Sequence, residues 1–117
     1  MSRRSDRVAV LIRAELADLL VHHVKDPRVR LASITTVALS ADLQHARVGV
    51  SVLGDDDERE RTIEVLQHAR GFLRSQLARR LRLRITPELL FELDRGAEHS
   101  QRIEQLLENL HGGDETS

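Results

Sequence analysis

Apolar residues near the start of the chain recur with the period of an α-helix. They follow one another at spacings of three and four, at Val8, Ile12, Leu16 and Leu19. This spacing places them on one face of a helix over roughly residues 5–24. Pro27 disfavours helical backbone at the residue before it, so the helix is predicted to end before the sequence KDPR.

The next segments have the patterns of β-strands. Residues 32–42 are rich in β-branched side chains, and residues 45–53 alternate between apolar and polar positions, with the apolar ones at Ala46, Val48, Val50 and Val52. The short link between the two segments predicts an antiparallel hairpin. Residues 84–94 predict a third strand, whose inward positions are Ile85, Leu89, Phe91 and Leu93. Pro87 near its start suits an edge strand or the entry to a strand.

Helical periodicity returns over residues 63–81 and again over residues 98–111. The order α-β-β-α-β-α predicts an α+β fold, a three-stranded sheet with helices packed on one face. We expect residues 1–110 to form one domain and residues 111–117 to form a flexible C-terminal tail. The acidic run at 54–60 is interpreted as a turn and the first turn of a helix, where the helix dipole favours acids, rather than as a cation site.

The segment 63–81 contains a conflict if it is wound as one straight helix. Arg70 then falls in the middle of the apolar stripe, and Phe72 falls about 120° away from it, toward solvent. Burying an unpaired charge and exposing an aromatic ring are both unfavourable. We therefore predict a kink formed by Ala69, Arg70 and Gly71, which turns Arg70 outward and Phe72 inward.

The charges are distributed unevenly along the chain. Of 18 basic and 19 acidic residues, residues 1–84 hold sixteen and eleven, a net charge of +5, whereas residues 85–117 hold two and eight, a net charge of −6. Six arginines and no acid lie between Gln67 and Arg84. A nucleic-acid partner is compatible with this distribution despite the overall charge of −1.

Other functional classes find little support. The chain has no cysteine, and its six histidines lack metal-ligand spacing, so no metal and no cofactor is expected. No catalytic motif is present, and we do not expect an enzyme or a small-molecule substrate. Charged residues interrupt the N-terminal apolar run, which indicates no membrane span and a cytoplasmic protein.

The helix, hairpin, kinked helix and strand resemble a type II KH domain, with Ala69-Arg70-Gly71 where the GXXG loop of KH domains stands. An Ala-x-Gly kink in a KH-like fold is characteristic of bacterial ribosome-binding factor A. Further segments resemble that family over about residues 3–110, namely RRSDRVAVLIRAEL at the start, VKDPRV at 24–29, DLQHARVGVSVLG at 42–54 and GFLRSQLARRLRLRITPELLFELD at 71–94.

The resemblance implies a monomeric, non-catalytic factor that binds free small ribosomal subunits during late maturation of their rRNA, often linked to cold adaptation. The implied RNA-facing residues are basic: Arg3, Arg4, Arg7, Lys25, Arg28, Arg70, Arg74, Arg79, Arg80, Arg82 and Arg84. Two Phe and no Tyr or Trp leave no aromatic platform on the sheet, so binding is expected to be dominated by phosphate contacts. Two alternatives stay open: an RNA-binding protein of KH type without ribosome preference, and a protein–protein adaptor that uses Glu98, Glu104 and Glu108.

Overall fold

Two long helices and three strands account for most of residues 3–94, the part of the chain that this computed structural model describes. The elements are α1 (Arg3–His22), a 3-10 helix (Pro27–Leu31), β1 (Ala32–Leu39), β2 (His45–Val52), α2 (Asp56–Leu81) and β3 (Glu88–Leu93). This order confirms the predicted α-β-β-α-β succession; the short 3-10 helix was not predicted. The predicted final helix and the tail at 111–117 lie outside the described residues.

The sheet has the order β1-β2-β3. As predicted, β1 and β2 form an antiparallel hairpin, and β3 joins β2 in parallel after a helical crossover. β3 begins only at Glu88, after a loop that includes Pro87. The prediction that Ile85 lies on the inward face of this strand is wrong, because Ile85 belongs to the loop and is 41% exposed.

The core lies between the sheet and the two helices. The inward residues of β2 are buried at Ala46, Val48, Val50 and Val52, whereas Arg47 on the opposite face is exposed. From the helices, α1 contributes Ile12, Leu16 and Leu19, and α2 contributes Leu66, Leu73 and Leu77. The α+β architecture with helices on one face of the sheet is confirmed.

The start of α2 is fixed by its own acidic residues. The Asp55 side chain accepts a hydrogen bond from the Glu58 backbone N–H at 2.8 Å, and the Glu58 side chain accepts one from the Asp55 N–H at 3.1 Å. This reciprocal capping box satisfies two backbone donors at the end of the helix. Asp56 and Asp57 follow in the first turn, which confirms the interpretation of the acidic run as a helix start.

The prediction that Phe72 turns inward is wrong, whereas a kink of the helix axis at Ala69, Arg70 and Gly71 stays a prediction. The helix runs without interruption from Asp56 to Leu81, and Phe72 is 46% exposed instead of turned inward.

The buried stripe of α2 explains how Arg70 reaches solvent. It runs through Thr62, Leu66, Leu73 and Leu77, with Ala69 partly buried. About its centre, Arg70 lies roughly 60° to one side and Phe72 roughly 100° to the other. Arg70 therefore reaches solvent from an uninterrupted helix.

Gly49 in β2 is a glycine that the packing requires. The register between β1 and β2 shifts between Ile34 and Thr36, which is the mark of a β-bulge at Thr35. The Thr35 hydroxyl donates to an Asp94 carboxylate oxygen at 2.6 Å, so it links β1 to the end of β3. A Cβ on Gly49 would lie 3.1 Å from the Thr35 Oγ1 and closer still to the Thr36 Oγ1.

We predict opposite effects for alanine at the two glycines. Gly71→Ala should raise the free energy of unfolding by about 0.5–1 kcal/mol, because no atom lies within 4 Å of the added Cβ and glycine is unfavourable within a helix. Gly49→Ala should lower it by about 1–3 kcal/mol through overpacking against the two threonines. Urea denaturation of both variants checks this, and a destabilised Gly71→Ala protein would contradict the uninterrupted helix.

Candidate nucleic-acid interface

A groove of about 470 Å³ lies where α2 passes the beginnings of β2 and β3. We call it the α2 groove; its lining includes Arg70, Gly71, Arg74, His45, Arg47, Glu88 and Leu90. The parallel pairing brings these residues together, because His45 at the start of β2 is opposite Glu88 at the start of β3. The crossover helix then returns over the same end of the sheet.

The cations of the α2 groove differ in their partners. Arg74 donates through Nε and Nη2 to the Thr86 carbonyl at 3.2 and 3.0 Å, which holds the side chain but leaves its charge uncompensated. Arg70 has no hydrogen bond or ion pair within residues 3–94. Arg47 pairs with Glu92 at 2.8 Å on the open face of the sheet. The groove therefore carries an excess of positive charge, opposed among its lining residues by Glu88.

Gly71 gives this groove an open wall. The glycine is exposed, and apart from its chain neighbours and the adjacent backbone of α2, nothing lies within 4 Å of the position of a Cβ. The backbone of α2 is consequently accessible between Arg70 and Arg74, so a ligand in the groove can approach this backbone closely.

Arg80 lies outside the groove and joins α2 to α1. Its Nη1 is 3.1 Å from Glu15 Oε1 and 2.7 Å from Asp18 Oδ2, and its Nη2 is 2.8 Å from His23 Nε2. We call these four residues the α1–α2 ion cluster. A guanidinium only donates hydrogen bonds, so His23 accepts through Nε2. The hydrogen bond from Arg80 lowers the pKa of Asp18 below its ordinary value of 3.8.

Arg28 is also compensated within the domain. Its Nε and Nη2 bind the two Asp26 carboxylate oxygens at 3.1 and 2.9 Å. Asp26 in addition accepts from the Arg28 backbone N–H and so caps the 3-10 helix. These hydrogen bonds, the side-chain one first, lower the pKa of Asp26. The neighbouring Lys25 is exposed and has no partner within the described residues.

The remaining predicted residues lie near the ends of the helices. Five of them are exposed and have no hydrogen bond or ion pair in the described range: Arg4, Arg7, Arg79, Arg82 and Arg84. Arg3 is the first residue of α1. Arg4 and Arg84 meet at a second, smaller hollow. The predicted set therefore divides among the α2 groove, this hollow, ion pairs with carboxylates of the domain and positions near the helix ends.

Two further cationic or titratable residues were missed by the sequence reasoning. His45 and Arg47 line the α2 groove from β2, and both stand at polar positions of the alternating strand. That alternation was the signal that could have identified them. Among residues 3–94, no three His, Asp or Glu side chains converge in an arrangement that could hold a metal ion, and no helix is long and apolar enough to span a membrane.

We predict that the α1–α2 ion cluster stabilises the fold in a pH-dependent way. Arg80→Ala should lower the urea midpoint relative to its neighbour variant Arg79→Ala, because it leaves Glu15 without its cation and Asp18 with His22 as its remaining partner. The folded pKa of Asp18 is lowered, so the contribution is complete above the unfolded value of 3.8 and is lost as the pH falls through the folded pKa. The gap between the two variants should shrink between pH 6 and pH 3; a constant gap would contradict the ion pairing.

The comparisons with known proteins agree on one family. A sequence profile of Ribosome-binding factor A matches residues 4–107. The solution structure of a candidate ribosome-binding factor A from Thermotoga maritima is 35% identical, with a TM-score of 0.71, and the match covers 82% of this chain and 92% of that one. The crystal structure of ribosome-binding factor A from Thermus thermophilus is 28% identical, with a TM-score of 0.70 and coverages of 79% and 98%.

A third comparison concerns the Thermus thermophilus protein in an assembly. Its homology-built coordinates, fitted into a cryo-electron microscopy map of a 30S complex, are 30% identical to this chain, with a TM-score of 0.64 and coverages of 75% and 92%. The profile match spans most of the chain, and the fold agrees with the solved structures. The chain belongs to the ribosome-binding factor A family.

Proposed function

We propose that this protein binds the small ribosomal subunit through its rRNA, in the cytoplasm and as a monomer, and assists late maturation of that rRNA without catalysing a reaction. The observation that carries the proposal is the α2 groove, in which two arginines with uncompensated charge flank an exposed glycine. The partner is suggested by the family and by the 30S complex of the Thermus thermophilus relative.

The charge of the groove favours a phosphate backbone. Arg74 is bound to a neutral carbonyl and Arg70 to no group within residues 3–94, so both guanidiniums retain their charge for an anion. Guanidiniums form bidentate hydrogen bonds with phosphate oxygens. By contrast, Arg80 and Arg28 already pair with carboxylates. We therefore centre the proposed contact on Arg70 and Arg74, with Lys25, Arg79, Arg82 and the N-terminal arginines as peripheral contributors.

The shape of the groove favours a single strand held by its backbone. Phe91, the one aromatic residue in the described sheet, is buried against the helices, and so the sheet offers no ring on which bases stack. The accessible backbone at Gly71 instead permits close approach of a phosphate group. A factor of this kind acts by position: it occupies an rRNA segment until folding or a partner displaces it.

The first alternative, binding to RNA without ribosome preference, uses the same groove and differs only in specificity. The second alternative, an adaptor, places binding on the acidic residues after position 94, which lie outside the described range. We propose that residues 111–117 are not part of the main contact, because their acids would be repelled by rRNA.

We predict that a double substitution in the groove weakens binding to isolated small subunits by tenfold or more. The variant is Arg70→Ala with Arg74→Ala, and the control of equal charge is Arg13→Ala with Arg61→Ala, two exposed arginines outside the groove. Co-sedimentation in a sucrose gradient measures association, and circular dichroism with urea denaturation verifies that both proteins fold. Equal binding by the two variants would overturn this placement of the interface.

We also predict a steep dependence of affinity on salt. Engaging about five phosphates of single-stranded RNA should give a slope of log K against log salt of about −3 to −4, and the groove variant should be shallower by about 1.4. Filter binding over a range of ionic strengths measures the slope. A slope near zero would favour the adaptor, and equal affinity for unrelated single-stranded RNA and for small subunits would favour the non-specific alternative.

A further inference from the structure

A second concave site lies beyond the α2 groove, at the end of the domain where α1 begins. It is a hollow of about 250 Å³ lined by Arg4, Val8, Leu43, Leu83, Arg84 and Ile85, and we call it the terminal hollow. Three elements form it: the first turns of α1, the turn between β1 and β2, and the loop between α2 and β3. Its lining is aliphatic apart from two guanidiniums, and it includes no carboxylate.

The two arginines of the hollow are available to a ligand. Arg4 and Arg84 are exposed, and neither has a hydrogen bond or an ion pair within residues 3–94. They reach the hollow from elements that are distant in the sequence. Their shared position therefore depends on the fold and brings two positive charges to the rim of an apolar floor.

The loops that form the hollow hold two residues in a disfavoured backbone conformation. Leu43 has a φ of 62° and Arg82 a φ of 49°, and they are the non-glycine residues with positive φ in the described range. Such positions normally carry glycine or asparagine, because a Cβ is unfavourable there. Leu43 lines the hollow, and Arg82 directly precedes three lining residues, Leu83, Arg84 and Ile85. Residues held in this conformation cluster at functional sites.

Hydrogen bonds in the turn hold Leu43 in this conformation. The Leu43 N–H donates to the Ser40 carbonyl at 2.9 Å. Asp42 accepts from the Ser40 hydroxyl at 2.6 Å and from the Gln44 N–H at 3.0 Å. The turn therefore places an aliphatic side chain at the hollow. Glycine would adopt the positive φ of this position more easily but would supply no side chain.

We propose that the terminal hollow receives one unpaired nucleotide of the RNA strand that occupies the α2 groove. The base lies against the aliphatic floor, and its phosphate lies between Arg4 and Arg84. This inference rests on the proposed function. The two sites adjoin, because Leu43 lines the hollow and His45, two residues away and thus within about 7 Å along the chain, lines the groove.

The lining also sets the specificity of this nucleotide site. Guanidinium planes stack on bases and bind phosphates, which matches the two faces of a nucleotide. The aliphatic side chains of Val8, Leu43 and Ile85 offer no hydrogen bond to the edge of a base. The site therefore distinguishes a base from its absence, but not one base from another.

The test compares a short single-stranded RNA with an abasic analogue of the same length, using the full chain and fluorescence anisotropy at fixed ionic strength. The native protein should bind the intact RNA about fivefold more tightly, which is the low end expected for contact with one base. Ile85→Ser and Leu43→Asn should remove this preference and leave affinity for the abasic strand unchanged. Asparagine tolerates positive φ, so Leu43→Asn retains the turn.

Matched variants separate the nucleotide site from general effects. Leu53→Ser, a substitution at a 71% exposed leucine outside the hollow, should retain the preference for intact RNA. Arg84→Ala should weaken binding of both strands more than Arg13→Ala does. Urea denaturation confirms that each variant is folded.

The outcomes distinguish this inference from the proposed function. Equal affinity of the native protein for the intact and abasic strands would overturn the nucleotide site and leave phosphate binding in the groove intact. Retention of the preference by both hollow variants would overturn it as well. If neither strand binds and an acidic, leucine-containing peptide of equal charge does, both the nucleotide site and the proposed function are wrong.

Discussion

The parallel pairing of β2 with β3 determines where the other parts of this domain lie. Two parallel neighbours need a crossover connection, and α2 is that connection. Because both strands begin at the same end of the sheet, His45 and Glu88 are opposite each other, and the middle of α2 passes above them. The buried inward row of β2 packs under both helices. The groove is therefore a consequence of the topology, and its chemistry follows from which residues α2 presents there.

The arginines of α2 show how the environment divides one residue type into different roles. Arg80 faces α1 and pairs with Glu15 and Asp18, so it contributes to the contact between the two helices. Arg74 points toward the loop before β3 and binds a carbonyl, which orients the side chain without cancelling its charge. Arg70 stands free of partners within the described residues. The ion pairs of Arg80 thus stabilise the contact between α1 and α2, and α2 presents the charges of Arg70 and Arg74 in the groove.

The sequence predicted most of the fold because period and alternation are local properties. The alternating row of β2 and the capped start of α2 were both identified in this way. The inward orientation predicted for Phe72 was wrong because the buried stripe passes through Thr62 and Ala69, and neither residue registers as strongly apolar in a sequence pattern. Which face of a helix is buried depends on its tertiary neighbours. A sequence pattern therefore does not identify small residues such as Ala69 as part of the buried face.

The site was predicted less completely than the fold, for a related reason. The basic segment was evident, but the carboxylate partners of Arg80 come from α1, more than sixty residues earlier in the chain. The backbone conformations of Leu43 and Arg82 were also not predicted. Both residues have positive φ, which residue propensity assigns to glycine or asparagine. Long-range pairing and backbone conformation therefore decide which cations remain available for a ligand.

The most direct test of the central claim, that RNA lies in the α2 groove, is to follow the arginine Nε–H resonances of isotope-labelled protein by NMR during titration with single-stranded rRNA fragments. The account predicts that the Arg70 and Arg74 resonances shift together with the Gly71 amide. The Arg80 resonance, held in the α1–α2 ion cluster, should remain in place. Shifts at Arg80 without shifts at Arg70 and Arg74 would contradict the account.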